Sequence, residues 1–546
     1  MVGALTYLVG FADIATGMAR GWRQRLHPLT NLVPGAIAAA SAATVVSGIL
    51  LLLLAHALRR RKRRAWRAAL ALLALSVVLH AVKLEFFAVA MSLAVLIALI
   101  AYRGEFRALG DPTTRWRAVR TFVVLSAASL VVGVLLEILL RHRAVGGPPS
   151  FGSIVQEVLS GLVGFQGPLS FGDERAADVE GAVLLGLGLM TALTTVYLAL
   201  RAPEPRPQLT DADEAAMRSL LQRNPDSLGY FNLRRDKSVV WSDSGKAAVA
   251  YRVVSGVMLA SGDPLGDPEA WPGAITNFLA DAESHAWTPA VIGCSERAGK
   301  SWCRATGLSA LELGDEAVVD AATFSLDGRP MRNVRQMVKR IERAGYTTEV
   351  LRAGSVSEGE RRRALVDADA WRGTETERGF SMALGRLVDP VDPDCVFVVA
   401  RQDGVMRAFL QFVPWGPDGM SLDLMRRDRT ADAGVNELLI VDSLRSCPQL
   451  GVNRVSLNFA AFRSTLERGE RLGAGPLLRA WRRVLLFASR WFQIESLYRF
   501  NAKFQPTWVP RFVVYPAARD LPRIAVAALE AEAFLTWPHL RRFSGA

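Results

Sequence analysis

An aspartate and an arginine interrupt an otherwise apolar run late in the chain: Asp423 falls in Met420–Leu424, and Arg426 follows in its polar continuation to Asp428. A carboxylate at the end of a strand can hold an ammonium or accept a proton, and a guanidinium beside it can grip a phosphate through two parallel N–H groups. Alternate residues of a regular strand share a face, so residues three apart converge on one ligand only where the strand bends. The pair also reads as a structural ion pair. A second cluster runs from Ile494 to Phe512, where Glu495, Tyr498, Arg499, Asn501, Lys503 and Arg511 alternate with Phe500, Phe504, Trp508 and Phe512. That mixture suits a binding groove, with a C-terminal structural cap as the plainer alternative.

Two further clusters could bind phosphate or shape a turn. Arg332, Arg335, Lys339 and Arg343 recur at helical spacing on one face while Val334, Val338 and Ile341 occupy another. Such a stripe fits the phosphates of RNA or of lipid headgroups, or is a solvated basic face. Ser261 to Pro268 holds two Asp-Pro pairs with flanking glycines, a sharp turn that places Asp263 and backbone N–H groups at a sheet edge. The six histidines show no metal-ligand spacing, and Cys294, Cys303, Cys395 and Cys447 form no C-x-x-C pair, so no metal is expected and the thiols read as reduced and cytosolic.

The elements that must position these groups follow from the pattern. From Thr210 onward, strand-like runs alternate with helices: Ser238–Trp241, Ala247–Val254, Gly256–Ala260, Pro289–Cys294, Tyr346–Leu351, Val396–Ala400, Met406–Val413, Met420–Leu424 and Arg454–Leu457. Short turns between several of them predict antiparallel hairpins in a mixed sheet. The pattern occurs twice, which predicts an α+β subdomain over 210–354 and a second over 355–546. Before them, Pro203, Pro205 and Pro207 mark 201–209 as a linker.

The N-terminal third is apolar. Val33–Leu58, Arg67–Val82, Phe86–Tyr102, Thr121–Leu140 and Gly181–Leu200 are each near the length that crosses a bilayer core, which predicts about five spans over 33–200. The formal charge of +13 is concentrated in part at Arg59–Arg64 and Arg67, so it signals topology more than nucleic acid. Basic loops stay cytoplasmic, and alternation then brings residue 201 to the cytoplasmic side. Residues 1–32 read as an interfacial segment, Met1–Met18 being interfacial or re-entrant with a sixth span as the alternative, and no cleavable signal is expected because no basic residue precedes Arg20. Glu137, near the outer end of its span, is expected at the interface.

Six stretches carry a family resemblance: Gly262 to Gly266, Leu313 to Ala317 with Phe324 and the basic helix after it, Trp371 to Ser381, Asp423 to Arg426, Ser456 to Phe459, and Ser496 to Trp508. Their content and order resemble the catalytic domain of the phosphatidylglycerol lysyltransferases, the multiple peptide resistance factor family, across nearly all of 225–515. The last stretch looks especially like the transferase half of the mycobacterial fusion with lysyl-tRNA synthetase. The resemblance implies a tandem acetyltransferase-like (GNAT, Fem-type) fold, an aminoacyl-tRNA donor, phosphatidylglycerol as acceptor, and no cofactor; no acetyl-CoA pyrophosphate loop is visible after residue 201. No synthetase domain follows, so a separate aminoacyl-tRNA synthetase is expected, and the span count is low for a lipid flippase.

On that resemblance Asp423 and Glu495 are expected to bind the aminoacyl ammonium, and Arg426 and Lys503 a phosphate or the developing oxyanion. Asp423 as general base is the alternative role. Asp263, Arg332, Arg335, Lys339, Tyr498, Arg499 and Asn501 are expected to bind substrate. A multi-pass protein of the bacterial inner membrane with its catalytic part in the cytoplasm is implied, and homo-oligomerisation is left open. The competing readings are a transferase of the same fold acting on another lipid, a peptide or an amine, and a non-catalytic membrane regulatory module.

Overall fold

Runs of Ala, Leu and Val without interior proline favour helix, and the computed structural model places seven helices among the described residues before 201. They are α1 (Val2–Met18), α2 (Ala36–Leu58), α3 (Arg63–Val82), α4 (Phe86–Ala101), α5 (Pro112–Leu140), α6 (Phe151–Leu162) and α7 (Glu174–Leu200). The structure describes residues 2–18, 36–58, 63–82, 85–105, 112–140, 149–165, 167–169, 174–200, 205, 209–222, 224–373, 377, 379–461 and 494–535. The chain falls into two units, residues 1–203 and the bulk of 204–546.

In the first unit, Val119–Leu140 within α5 is the one stretch among the described residues that meets both the length and the hydropathy of a bilayer span. Ala65–Ala81, Phe86–Ala101 and Glu180–Val196 are apolar but shorter. The segment expected to lie at the interface contains a helix packed closely on α2: a Cβ on Gly48 would fall 2.7 Å from the Gly10 carbonyl oxygen. Its Asp13 is buried and accepts from Ser76 Oγ (2.7 Å), with His80 Nε2 at 2.9 Å; the other ring nitrogen of His80 lies 2.5 Å from Glu85. Glu137 is buried within this unit, 1% exposed, because α5 turns this face toward α6 and α7.

The second unit holds helices α8 (Asp211–Leu221), α9 (Trp271–Ser284), α10 (Glu296–Thr306), α11 (Arg332–Arg343), α12 (Glu358–Arg372), α13 (Val435–Leu450), α14 (Ile494–Ala502) and α15 (Leu521–Ala531). Its strands are β1 (Ser238–Trp241), β2 (Ala247–Val254), β3 (Val257–Ser261), β4 (Leu265–Gly266), β5 (Thr288–Cys294), β6 (Ser309–Asp320), β7 (Tyr346–Arg352), β8 (Val396–Gln402), β9 (Val405–Trp415), β10 (Gly419–Arg427), β11 (Arg454–Ala461) and β12 (Thr507–Tyr515). They form one sheet in the order β1-β2-β3-β5-β12-β6-β11-β10-β9-β8-β7, with β4 on β2.

The order contains a repeat. An antiparallel meander, a helix and a parallel strand appear as β1-β2-β3, α9, β5 and again as β8-β9-β10, α13, β11. Each repeat then sends its last strand across to the other: β6 pairs with β11, and β12 pairs with β5. The two crossing strands also pair with each other, so the halves share one continuous sheet. Strand β7 pairs with β8, and Val334, Val338, Ile341 and Tyr346 pack in one apolar cluster with Val398, Leu410 and Leu438. The stretch 332–352 therefore belongs physically with the second repeat, across the boundary expected at 354.

Two apolar clusters cover opposite faces of the β8–β10 meander. Val398, Leu410, Phe412 and Leu422 face α11 and α13. Phe397, Val399, Phe409 and Val413 face the other way, under Leu384, Leu387 and Val388. Odd and even strand positions divide between the faces as a two-residue period requires.

Candidate active site

The two parallel strand pairs differ. Strands β3 and β5 stay in register along Val257–Ser261, whereas β10 and β11 pair only from Gly419 to Ser421 and then part. Both strands are irregular at the parting point. Strand β10 shifts register against β9 between Leu422 and Leu424, leaving Asp423 as the extra residue of a bulge. Strand β11 shifts between Ser456 and Phe459, where Asn458 takes a left-handed φ of 70°. Asn458 Nδ2 donates to the Leu422 carbonyl (2.7 Å) across the opening, and its Oδ1 is buried without a partner among the described residues.

The bulge supplies the bend that the Asp423–Arg426 spacing demands. Beyond it Met425 pairs with Leu410 and Arg426 with Phe409, so Arg426 shares the face of Phe409 and Gln411. Asp423 is on that same face: it accepts from the Leu384 N–H (2.7 Å) and from Gln411 Nε2 (2.6 Å). The residue is half-buried, and this burial pushes its carboxyl up to about 6 against the two hydrogen bonds. Arg426 reaches Glu377 at 2.7 Å, and Arg372 meets the other oxygen of Glu377 at 3.0 Å.

The segment leading to Leu384 is pinned by several groups. Glu532, just beyond α15, accepts from the N–H groups of Phe380 (2.7 Å) and Ser381 (3.0 Å). Lys237 is fully buried with its Nζ 4.6 Å from the centre of the Phe380 ring, and donates to Ser261 Oγ (2.7 Å), the Phe231 carbonyl (3.1 Å) and Asn232 Oδ1 (3.2 Å). Burial lowers this amine to about 7.

The other expected site residues are distributed. Lys503 pairs with Glu437 of α13 at 2.7 Å, and Phe500, Phe504 and Trp508 pack in the cluster on the α13 face; Asp423 and Lys503 thus attach to opposite faces of the sheet. Tyr498 stacks against Trp508, with ring centres 5.3 Å apart. Asn501 is buried and donates to the Leu457 carbonyl (3.1 Å), holding one edge of the opening. Arg499 is exposed on α14, which also contains Glu495, whose side chain lies outside the described residues. Arg332, Lys339 and Arg343 are exposed on α11, while Arg335 donates to the Leu326 carbonyl.

Asp263 is not at an open edge. It is buried and accepts from both the N–H (2.7 Å) and the hydroxyl (2.6 Å) of Ser295, which caps α10; burial and the neighbouring Asp226 hold its carboxyl above the usual range. Arg511 also proves internal: it binds Asp226 (2.7 Å), Glu316 (2.5 Å) and Ser227 Oγ (2.6 Å) where the repeats join. Sequence reasoning passed over Glu377, Gln411, Asn458 and Lys237 as site residues, although Glu377 and Asn458 lie inside stretches that carried the family resemblance.

A model of the C-terminal part of phosphatidylglycerol lysyltransferases matches residues 218–515, more than half of the chain. The chain belongs to the phosphatidylglycerol lysyltransferase family. Residues 1–144 match a model described as the transmembrane region of lysyl-tRNA synthetase, so a membrane region precedes the lysyltransferase module. Proteins named lysylphosphatidylglycerol biosynthesis bifunctional protein LysX are similar: that of Rhodococcus opacus is 51% identical over 66% of this chain and 32% of its own length. That of Mycobacterium avium is 44% identical over 82% of this chain and 38% of its own. The chain thus spans about a third of the length of these relatives.

The lysyltransferase fold also appears in two solved structures. The C-terminal domain of an Agrobacterium fabrum protein titled a putative lysylphosphatidylglycerol synthetase is 23% identical, with a TM-score of 0.51 over 60% of this chain and 99% of that domain. A structure titled L-PGS from Bacillus licheniformis is 22% identical, with a TM-score of 0.52 over 61% of this chain and 98% of that one.

Proposed function

We propose that the chain transfers an aminoacyl group, lysyl first among candidates, from aminoacyl-tRNA to a glycerol hydroxyl of phosphatidylglycerol. The observation that carries this is the bulge that puts Asp423 and Arg426 on one face beside the parted strands of the second repeat, in a chain of this family. The lipid hydroxyl oxygen attacks the aminoacyl ester carbonyl; the ribose oxygen departs and takes up the proton that the hydroxyl gives up. One ester replaces another, so the protein's task is to orient two large substrates and exclude water.

Asp423, ionised above about pH 6, binds the aminoacyl ammonium or relays the hydroxyl proton. Arg426 holds the lipid phosphate. The exposed stripe of α11, Arg332, Lys339 and Arg343, and Tyr498, Arg499 and Lys503 on and just past α14 serve RNA phosphates, and Glu495 is a second carboxylate for the ammonium. The N-terminal helices pass several times through the bacterial inner membrane with the lysyltransferase module in the cytoplasm. Tethering there raises the module's effective concentration at its lipid acceptor, and a cationic product headgroup weakens attraction of cationic peptides.

The test supplies membranes containing the protein with labelled lysine, tRNA and lysyl-tRNA synthetase, then extracts the lipids. Label in the lipid phase, dependent on phosphatidylglycerol, is expected. Arg426→Ala and Asp423→Ala are expected to lower it by about two orders of magnitude or more while the protein still inserts. Full activity in both variants removes the site assignment, and label only in peptide or free amine removes the acceptor.

A further inference from the structure

Resting on that reading of Arg426, we propose that Arg372 and Arg426 form the seat for a single lipid phosphodiester, and that Glu377 occupies this seat as an internal counter-ion which the lipid displaces. The two guanidiniums come from separate elements, the C-terminal turn of α12 and the end of β10, and grip opposite oxygens of one carboxylate at 3.0 Å and 2.7 Å. A third, Arg429, donates to the Arg372 carbonyl at 3.3 Å and is exposed. Against these three cations stand Glu377 and Asp369, the latter 2.9 Å from Arg372. Among the described residues these contacts set three cations against two carboxylates, and Arg372 Nε is buried without an acceptor.

A phosphodiester presents two anionic oxygens in the geometry a guanidinium accepts from a carboxylate, plus two ester oxygens. It can therefore replace Glu377 on both arginines. Arg372, Arg426 and Glu377 have side chains 30%, 25% and 38% exposed, so solvent already reaches the pair and exchange requires no unfolding. The exchange also discriminates: only an anionic group can evict a carboxylate held by two guanidiniums, and an uncharged lipid cannot. Asp423 lies three residues back on the same face, about 10 Å along a strand. The compact seat fits one isolated phosphodiester, whereas the α11 stripe, with charges repeating along a helix, fits the serial phosphates of RNA.

The experiment measures binding of short-chain dihexanoylphosphatidylglycerol, and separately of a hexaribonucleotide, to the detergent-solubilised full chain by calorimetry. Glu377→Gln, which keeps shape and removes charge, is expected to tighten the lipid about three- to tenfold, the scale of one or two partly exposed ion pairs. Glu377→Asp is expected to stay near wild type, and Arg372→Gln to weaken the lipid, with the ribonucleotide unchanged in all three. Unchanged or weaker lipid binding in Glu377→Gln overturns the proposal, and so does tightening confined to the ribonucleotide. Turnover separates this from the reading beneath it. If lysyl-lipid forms but Glu377→Gln binds no tighter, the counter-ion falls and the transferase stands; if the lipid binds tighter but no label enters any lipid, the seat stands and the transferase falls.

Discussion

Asp423 decides most at the scale of single residues. Its carboxyl is held near 6 by burial although a backbone N–H and Gln411 both donate to it. If the ionised form binds ammonium or takes a proton, kcat/KM falls about tenfold per pH unit below roughly 6, and Asp423→Asn gives a low, flat profile. The stability effect has the opposite sense. A carboxyl raised on folding favours the neutral form, so its contribution is fully present below the ordinary carboxylate range and is lost as pH rises through about 6. Thermal denaturation should accordingly find Asp423→Asn gaining on wild type between pH 4 and pH 7; a constant difference across that range contradicts the assignment. The sequence revealed Asp423 and Arg426 as a pair, and that they need a bend to meet. It could not reveal the bulge, because the shift exists only in the pairing of β10 with β9. Lys237 was illegible for a related reason: nothing in its flanking polar residues signals that Phe380 and Ser261, far along the chain, enclose it.

Elements explain why the candidate site falls in the second repeat. Both repeats build a meander and a parallel strand, yet only β10 and β11 part, and Asn458 spans the break with a backbone conformation that asparagine tolerates better than most residues. Asn458→Gly should cost about 1–3 kcal/mol through the stranded Leu422 carbonyl. Asn458→Ala should cost roughly 1–2 kcal/mol more, because alanine resists the left-handed region. Chemical denaturation of the purified chain measures both, and equal losses would mean that the backbone turn carries no strain. Nine strands were legible from β-branched and apolar runs with glycine-bearing turns. The two long ones missed, β6 and β12, are the strands that cross between repeats. Leu313–Ala317 places Gly314, Asp315 and Glu316 mid-strand, and Pro510 sits inside β12, so local composition argues against strand in both places. Tertiary pairing overrides it: Glu316 and Asp315 face Val509 and Pro510 in register, and the charge of Glu316 is met by Arg511.

Across the whole molecule, that same exchange makes the two repeats interdependent. Arg511 rides on β12 from the second repeat into the first, where it meets Asp226, Ser227 and the Gly293 carbonyl; Glu316 rides on β6 the other way and accepts from Ser456 of β11. Burying this cluster costs desolvation that its mutual pairing offsets, so the cluster fixes the join more than it adds stability. Removing one partner is different. Arg511→Ala leaves Asp226 and Glu316 as uncompensated buried charges, a loss of about 3–5 kcal/mol, and Arg511→Lys recovers little because one ammonium cannot span both carboxylates and Ser227. Since β12 lies between β5 and β6, loosening it strips a neighbour from each repeat at once. Hydrogen exchange on the Arg511→Ala protein should therefore speed up together in β3 and β5 of the first repeat and in β10 and β11 of the second, at rates set by one opening event. Protection lost in the first repeat while the second keeps its wild-type rates would mean that the halves fold separately, and that the crossed strands are a contact between two domains and not the spine of one.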